Sequence, residues 1–435
     1  MNTIPLPSAP TPRPETGIMP EREWSELRNS IHQDLLGQLN LRALSQIARS
    51  DLKLQLAKPL NEALSIRRLE LTTEQREQLI DELLDELIGL GPLEAIMRDT
   101  AVSDIVINGC ENVFVERHGR MQKADVRFLN NDHVIRILNK IVSGAGRRID
   151  EAQPMVDARL ADGSRINAVI PPLALDGPLV SIRRFSVFGT TFKKLESLNT
   201  LSPEMSELLA LYVSARRNIV VTGGTGSGKT TLLNVLATAI PDEQRVITIE
   251  DSAELDLNKP NVARLETRPA NMEGNGRVTQ RELLRNALRM RPDRIILGEV
   301  RGDEAIDMLQ AMNTGHDGSM TTVHANDAAN AITRIENMVI MSGINLSSEQ
   351  LARQIGQTVN VVVHVSRYPD GVRRISSINE VSGSDKGGVE LKPVFRFEAT
   401  GVSQNGDLAG HFVGSAGESG FQDRLKMFRP TVQSG

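Results

Sequence analysis

The sequence predicts an α/β chain in which a larger domain, built on a parallel sheet, follows a smaller α+β domain and a helical N-terminal segment. Two observations carry that reading. From Ile219 onward, short apolar β-type runs alternate with helical stretches, the rhythm of a parallel sheet covered by helices on its faces. Between 101 and 186 the texture differs, with β-branched runs broken by glycine turns. The 435 residues suit two or three domains at roughly 150 residues each.

The first twenty residues hold six prolines, so 1–20 is expected to be a disordered proline-rich tail. Over 21–100 the pattern is helical: Trp24, Leu27, Ile31 and Leu35 recur at helical spacing, as do Leu79, Ile80, Leu83, Leu84, Leu87 and Ile88. Thr72 with Gln75 offers a capping box, and Gly89-Leu90-Gly91-Pro92 stops the helix. The α+β domain, 101–186, alternates runs such as Ile105-Val106-Ile107 and Val180-Ser181-Ile182 with turns at Asn108-Gly109, His118-Gly119 and Asp162-Gly163. One helix, around Asp132 to Val142, interrupts them. The same stretch carries Arg147, Arg148, Arg159, Arg165, Arg183 and Arg184, which read in the first instance as a solvated basic surface.

Residues 187–200 are expected to be a hinge linker, after which Ser202-Pro203-Glu204 supplies an N-cap, a first-turn proline and an acid facing the helix dipole. The domain over 201–435 then runs strand and helix in turn as far as a capped helix at Ser347–Thr358. Strand Val359–Val365 leads from there into a glycine-punctuated, β-rich, antiparallel-looking extension.

Composition excludes several classes. Aromatic residues are 3% of the chain, with one Trp and two Tyr, so stacking platforms for bases are poorly supplied. A net charge of −5 lacks the basic excess of a dedicated nucleic-acid binder. The single cysteine, Cys110, excludes an intramolecular disulfide and a cysteine zinc cage, and fits a reducing cytoplasm. No apolar run reaches the ~20 residues of a membrane span. Work at a membrane is therefore expected to go through partners.

The sharpest chemical signal is Gly223-Gly224-Thr225-Gly226-Ser227-Gly228-Lys229-Thr230-Thr231, a complete G-x-x-x-x-G-K-[ST] between a buried-type strand and an aliphatic helix. Its glycines let successive backbone N–H groups turn toward phosphates, while the helix N-terminus adds its positive end. Lys229 suits the β- and γ-phosphates and Thr230 suits Mg²⁺. Acids then close two strands: Glu250-Asp251 after Val246–Ile249, and Glu299 after Arg294–Gly298. Such ends of an open α/β sheet are where ligands sit. They suit two tasks, holding the metal shell and orienting or deprotonating water. His316 and His324 flank a short Ser/Thr-rich run, and both are expected near the γ-phosphate region.

These motifs, in this order, resemble the type II/type IV secretion ATPase superfamily, and within it the CpaF branch that serves tight-adherence pili. The likeness covers roughly 72 to 430. It rests on the P-loop, an Asp box at Ile247–Asp251, a Walker B region at Arg289–Arg301 and a His box from Gly315-His316 to Val323-His324-Ala325. The resemblance implies a RecA-like P-loop motor using ATP and Mg²⁺ without zinc. It implies Glu299 as the catalytic carboxylate, Glu250 assisting at the metal–water shell, His324 at the γ-phosphate, and Arg301 closing the same motif. It further implies a cytoplasmic homohexamer, inner-membrane platform proteins as partners, and an N-terminal domain that lends arginines to the nucleotide, for which Arg183 and Arg184 are the candidates. The competing reading is a nucleic-acid motor, of helicase, packaging or conjugation type, on the same core. Asn258-Lys259-Pro260-Asn261 lacks the final acid of a guanine reader, which disfavours GTP.

Overall fold

A computed structural model gives the fold. It describes residues 49–428, apart from 88, 118, 161, 185–189, 269, 271–274, 384–387 and 403–407, together with 24, 27, 28, 30 and 31. The proline-rich stretch 1–20 lies outside the described residues. The chain divides into two compact units, with the boundary after Arg184.

In the first unit, helices Arg49–Ile66 and Thr73–Leu87 bury Leu52, Leu56 and Leu60 with Leu79, Leu83 and Leu84. Leu27 and Ile31 join this cluster, and Trp24 donates its indole N–H to Glu82 at 3.0 Å. The capping box is reciprocal: Gln75 N–H donates to Thr72 Oγ1 at 3.2 Å, and Thr72 N–H to Gln75 Oε1 at 3.0 Å. The following sheet contains β1 (Val102–Asn108), β2 (Asn112–Arg117), β3 (Arg120–Lys123), β4 (Met155–Arg159), β5 (Arg165–Val169) and β6 (Leu179–Arg183), in the order β3-β2-β1-β6-β5-β4. Apart from β3, whose four residues are all exposed, its strands bury apolar residues largely in alternation. On β6, Val180 and Ile182 face the core while Arg183 stays exposed. Helix Asn131–Gly144, capped by the Asn130 side chain, covers the buried face. One-sided alternation of this kind is the mark of an antiparallel sheet with one solvated face.

The second unit carries a sheet of different character. Its strands are β7 (Ile219–Gly223), β8 (Val246–Glu250), β9 (Val262–Glu266), β10 (Arg294–Leu297), β11 (Met320–His324), β12 (Val361–Arg367), β13 (Arg373–Gly383), β14 (Val389–Val402) and β15 (Leu408–Gly414). They lie in the order β15-β14-β13-β12-β7-β11-β10-β8-β9, parallel from β12 to β9 and antiparallel from β12 to β15. Every residue of β7, β8 and β10 is buried, because helices cover both faces. Leu208, Leu209, Leu232 and Leu236 pack one face with Val221, whereas Leu309, Ile332, Ile335 and Ile355 pack the other with Val220. Each such side chain contributes roughly 1.5–3 kcal/mol relative to exposure.

Within the span 187–200, read as a linker, Phe192–Ser197 is helical, with Thr191 accepting the Lys194 N–H at 3.2 Å and Leu195 buried in the second unit's core. Strand β9 had no sequence expectation, since its residues are only partly buried and lack an apolar run. Among the described residues no helix is long and apolar enough to cross a membrane.

Candidate nucleotide site

The site is built where the parallel strands end. Register aligns His324 of β11 with Gly223 of β7, and Leu297 of β10 with Thr321 of β11 and Ile249 of β8. The residues at and beyond these positions therefore emerge at one edge: the P-loop after β7, Glu250 ending β8 with Asp251 after it, Gly298-Glu299 after β10, and His324 itself. The chain runs from β7 to β8, then returns to place β10 and β11 between them, before β12 joins on the far side of β7. This is the topological switch point at which open α/β sheets bind ligands.

The P-loop turns into helix Lys229–Thr238 through Gly228, whose φ of +98° favours glycine. Lys229 is buried and donates from Nζ to the Gly224 carbonyl at 2.8 Å. Thr225 and Thr231 are exposed and Thr230 is half-buried. Around the loop, Thr222 Oγ1, Ser227 Oγ and Glu250 Oε2 are buried without a protein partner among the described residues. Buried polar atoms are rarely left unmatched. A glycine cradle with a lysine at a helix start, beside orphaned hydroxyl and carboxylate oxygens, fits a polyphosphate with its hydrated Mg²⁺.

Glu299 lies at the centre of the charged groups. Its Oε1 is 3.3 Å from His324 Nε2, and its Oε2 accepts from Arg301 Nη2 at 3.0 Å. Arg301 also reaches Asp251, at 3.8 Å. Glu304 holds the turn that follows Glu299, its Oε1 accepting the N–H groups of Arg301 and Gly302 at 2.6 and 2.9 Å. Burial, and then the positive charge of Lys229, pull the His324 imidazole below the ordinary histidine range, against the pull of Glu299. A neutral ring follows at neutral pH.

Glu250 is in a drier setting. Its Oε1 accepts the backbone N–H groups of Glu254 and Leu255 at 2.8 and 2.9 Å. Burial nevertheless pushes its carboxyl up to about 7. Gly298 packs directly upon it, and a β-carbon there would lie 2.9 Å from Glu250 Cγ. The Thr322 hydroxyl fixes that close approach by donating to the Gly298 carbonyl at 2.7 Å.

The fold thus gathers Gly223–Thr231, Glu250, Glu299, Arg301 and His324 at one sheet edge. His316 is not among them, which corrects the sequence expectation. It precedes β11, at the opposite end of a five-residue strand, and residues in a strand advance about 3.3 Å each. Arg183 and Arg184 belong to the first unit: Arg183 pairs with Asp104 at 3.1 Å, and Arg184 donates to the Val102 and Asp99 carbonyls.

Sequence reasoning missed residues on β12 and β13. His364 aligns with Thr222, and its Nε2 lies 3.0 Å from Ser366 Oγ, while its Nδ1 is buried without a partner among the described residues. Burial lowers its pKa, as does the charge of Lys229. Its signal was a polar residue inside the run Val361-Val362-Val363-His364-Val365. Arg373 donates from Nε to the Gly226 carbonyl of the P-loop at 2.9 Å, and no local pattern announced it.

A fold with these motifs at its switch point defines a P-loop nucleotide hydrolase. The family described as type II/IV secretion system proteins matches residues 86–384, and the chain belongs to that family: it is a secretion ATPase, an ATP hydrolase. It is 38% identical over 302 residues, 68% of this chain and 85% of the relative, to a Mycobacterium tuberculosis protein provisionally named for conjugal transfer. It is 36% identical over 318 residues, 66% of this chain and 88% of the relative, to the type IV secretion system protein VirB11 of Brucella suis. Among solved structures, the Brucella suis VirB11 ATPase in complex with sulphate is 33% identical with a TM-score of 0.36, covering 66% of this chain and 92% of that one.

Proposed function

We propose that this chain is the cytoplasmic, homohexameric ATPase of a pilus or secretion machine, delivering movement through inner-membrane platform proteins. The observation that carries the reading is Glu299, held between His324 and Arg301 at the sheet edge that also bears Lys229. In this account the loop Gly223–Thr231 binds the phosphates through its backbone N–H groups, with Lys229 countering the β- and γ-charge. Thr230, and Glu250 through water, would hold Mg²⁺, which when bound would supply positive charge to the phosphate oxygens. Glu299 orients the attacking water and receives its proton. Neutral His324 hydrogen-bonds near the γ-phosphate, and Arg301 keeps Glu299 aligned. Arg183 and Arg184 are the arginines that the first unit would contribute during closure.

Two kinds of machine fit. The motif order favours a tight-adherence pilus, while the Mycobacterium relative, named for conjugal transfer, favours a conjugation-type system, and the Brucella relative is named for type IV secretion. The test is ATP hydrolysis by the purified chain with single-stranded DNA, and with membranes carrying the platform protein, alongside the phenotype of a Lys229→Ala strain. Stimulation by platform membranes with loss of pili supports the pilus reading. Stimulation by DNA with loss of conjugal transfer supports the second, and normal phenotypes with an inactive enzyme would overturn both.

A further inference from the structure

The P-loop is gripped from outside as well as from its own helix. Strand β12 runs parallel to β7 with His364 opposite Thr222, so Val365, Ser366 and Arg367 continue alongside the point where β7 gives way to the loop. The approach is close: a β-carbon on Gly223 would lie 2.2 Å from the Val365 carbonyl oxygen. The chain then turns back, pairing Arg367 with Arg373 at the start of β13. Arg373 donates from Nε to the Gly226 carbonyl at 2.9 Å, and its Cδ lies 3.2 Å from where a Gly228 β-carbon would stand. Arg367 Nη1 lies 3.9 Å from the corresponding position on Gly226, while its Nη2 lies 3.2 Å from that on Gly119. Both arginines are exposed. Two guanidinium groups therefore lie against residues 226–228 from one hairpin, in the loop that leads into the buried Lys229.

We propose that Arg367 and Arg373 bind the polyphosphate of the nucleotide from within the same chain, as a cation pair complementing Lys229. This rests on the ATP-site reading above. A nucleoside triphosphate brings about four negative charges at neutral pH, more than Lys229 and one Mg²⁺ together offset. Planar guanidinium groups suit phosphate oxygens bidentately, and their charge does not depend on pH. The pair would also make the β12–β13 hairpin responsive to nucleotide, since Val365 and Arg373 both bear on the loop backbone.

The alternative role is purely mechanical, with Arg373 bracing the loop through the Gly226 carbonyl. Fluorescent mant-ATP and mant-ADP binding to the full chain separates the two, using Arg367→Gln, Arg373→Gln and Arg373→Lys, with melting temperature measured in parallel. Phosphate binding predicts that each Gln variant weakens mant-ATP about tenfold, and mant-ADP less, at an unchanged melting temperature, and that Arg373→Lys recovers part of the loss. Equal weakening of both nucleotides with a lowered melting temperature, or mant-ATP affinity within about twofold of wild type, would overturn the proposal. Should Arg373→Gln fail to fold, Arg367→Gln and Arg373→Lys carry the same comparison. Lys229→Ala, run alongside, guards the underlying reading: if it too binds mant-ATP like wild type, the ATP site itself is misassigned.

Discussion

Strand β7 has two unlike flanks. On one side β11 and β10 end in His324 and Glu299, with Asp251 and Glu250 beyond, so that flank is rich in carboxylates. On the other side β12 and β13 bring His364, Arg367 and Arg373, so that flank is rich in nitrogen donors. The same loop lies between them. Carboxylates beside a phosphate site suit handling of water and metal, whereas guanidinium groups suit holding of charge. On the reading proposed above, the labour of hydrolysis is divided between the parallel and antiparallel halves of one sheet.

The basic flank depends on a buried pair at its turn. Arg374 binds Asp370 bidentately at 3.1 and 2.8 Å, and both side chains are buried. Arg374→Ala leaves the Asp370 carboxylate without this partner and is expected to cost about 3–5 kcal/mol. Urea unfolding reads that loss directly, and an unchanged midpoint would show the hairpin to be held by other contacts.

The acidic flank depends on close packing. A methyl group at residue 298 would meet the Glu250 side chain, so Gly298→Ala should displace that carboxylate. A misplacement of this kind is expected to lower kcat about 10–100-fold with the KM for ATP little changed. If kcat holds and KM rises, Gly298 serves binding rather than the carboxylate.

The smallest effect is a pH dependence. Burial lifts Glu250 from the usual 4.5 to about 7, so the protonated form is favoured in the folded chain. Stability from the neutral carboxyl is complete below about 4.5 and is lost as pH rises through about 7. Activity that needs the carboxylate moves the other way, rising as pH passes through about 7. Glu250→Gln should flatten both profiles, raising the melting temperature relative to wild type at pH 8 more than at pH 5. Parallel profiles for the two proteins would place the titration on another group.

The two flanks differed equally in legibility. Each acidic-flank residue ends its own strand or follows it within two residues, so a short motif carries the position of Glu250, Glu299 and His324. Local sequence misled only for His316, because a strand sends its two ends to opposite edges. The basic flank arises from pairing between β7 and β12, strands far apart in sequence, and from the turn that returns β13 to the loop. Nothing near Arg373 distinguishes it from other exposed arginines. The large fold followed from its strand and helix rhythm, while β9 escaped because a half-buried edge strand shows no apolar run.

Glu299 is the residue on which the proposed hydrolysis most depends. Single-turnover hydrolysis of saturating ATP by wild type and Glu299→Gln, with nucleotide affinity measured on the same preparations, tests it. The expected result is a rate lower by about 10²–10⁴-fold at an affinity close to wild type. A Glu299→Gln enzyme that hydrolyses ATP at the wild-type rate would show that the carboxylate between His324 and Arg301 is not the group on which the reaction depends.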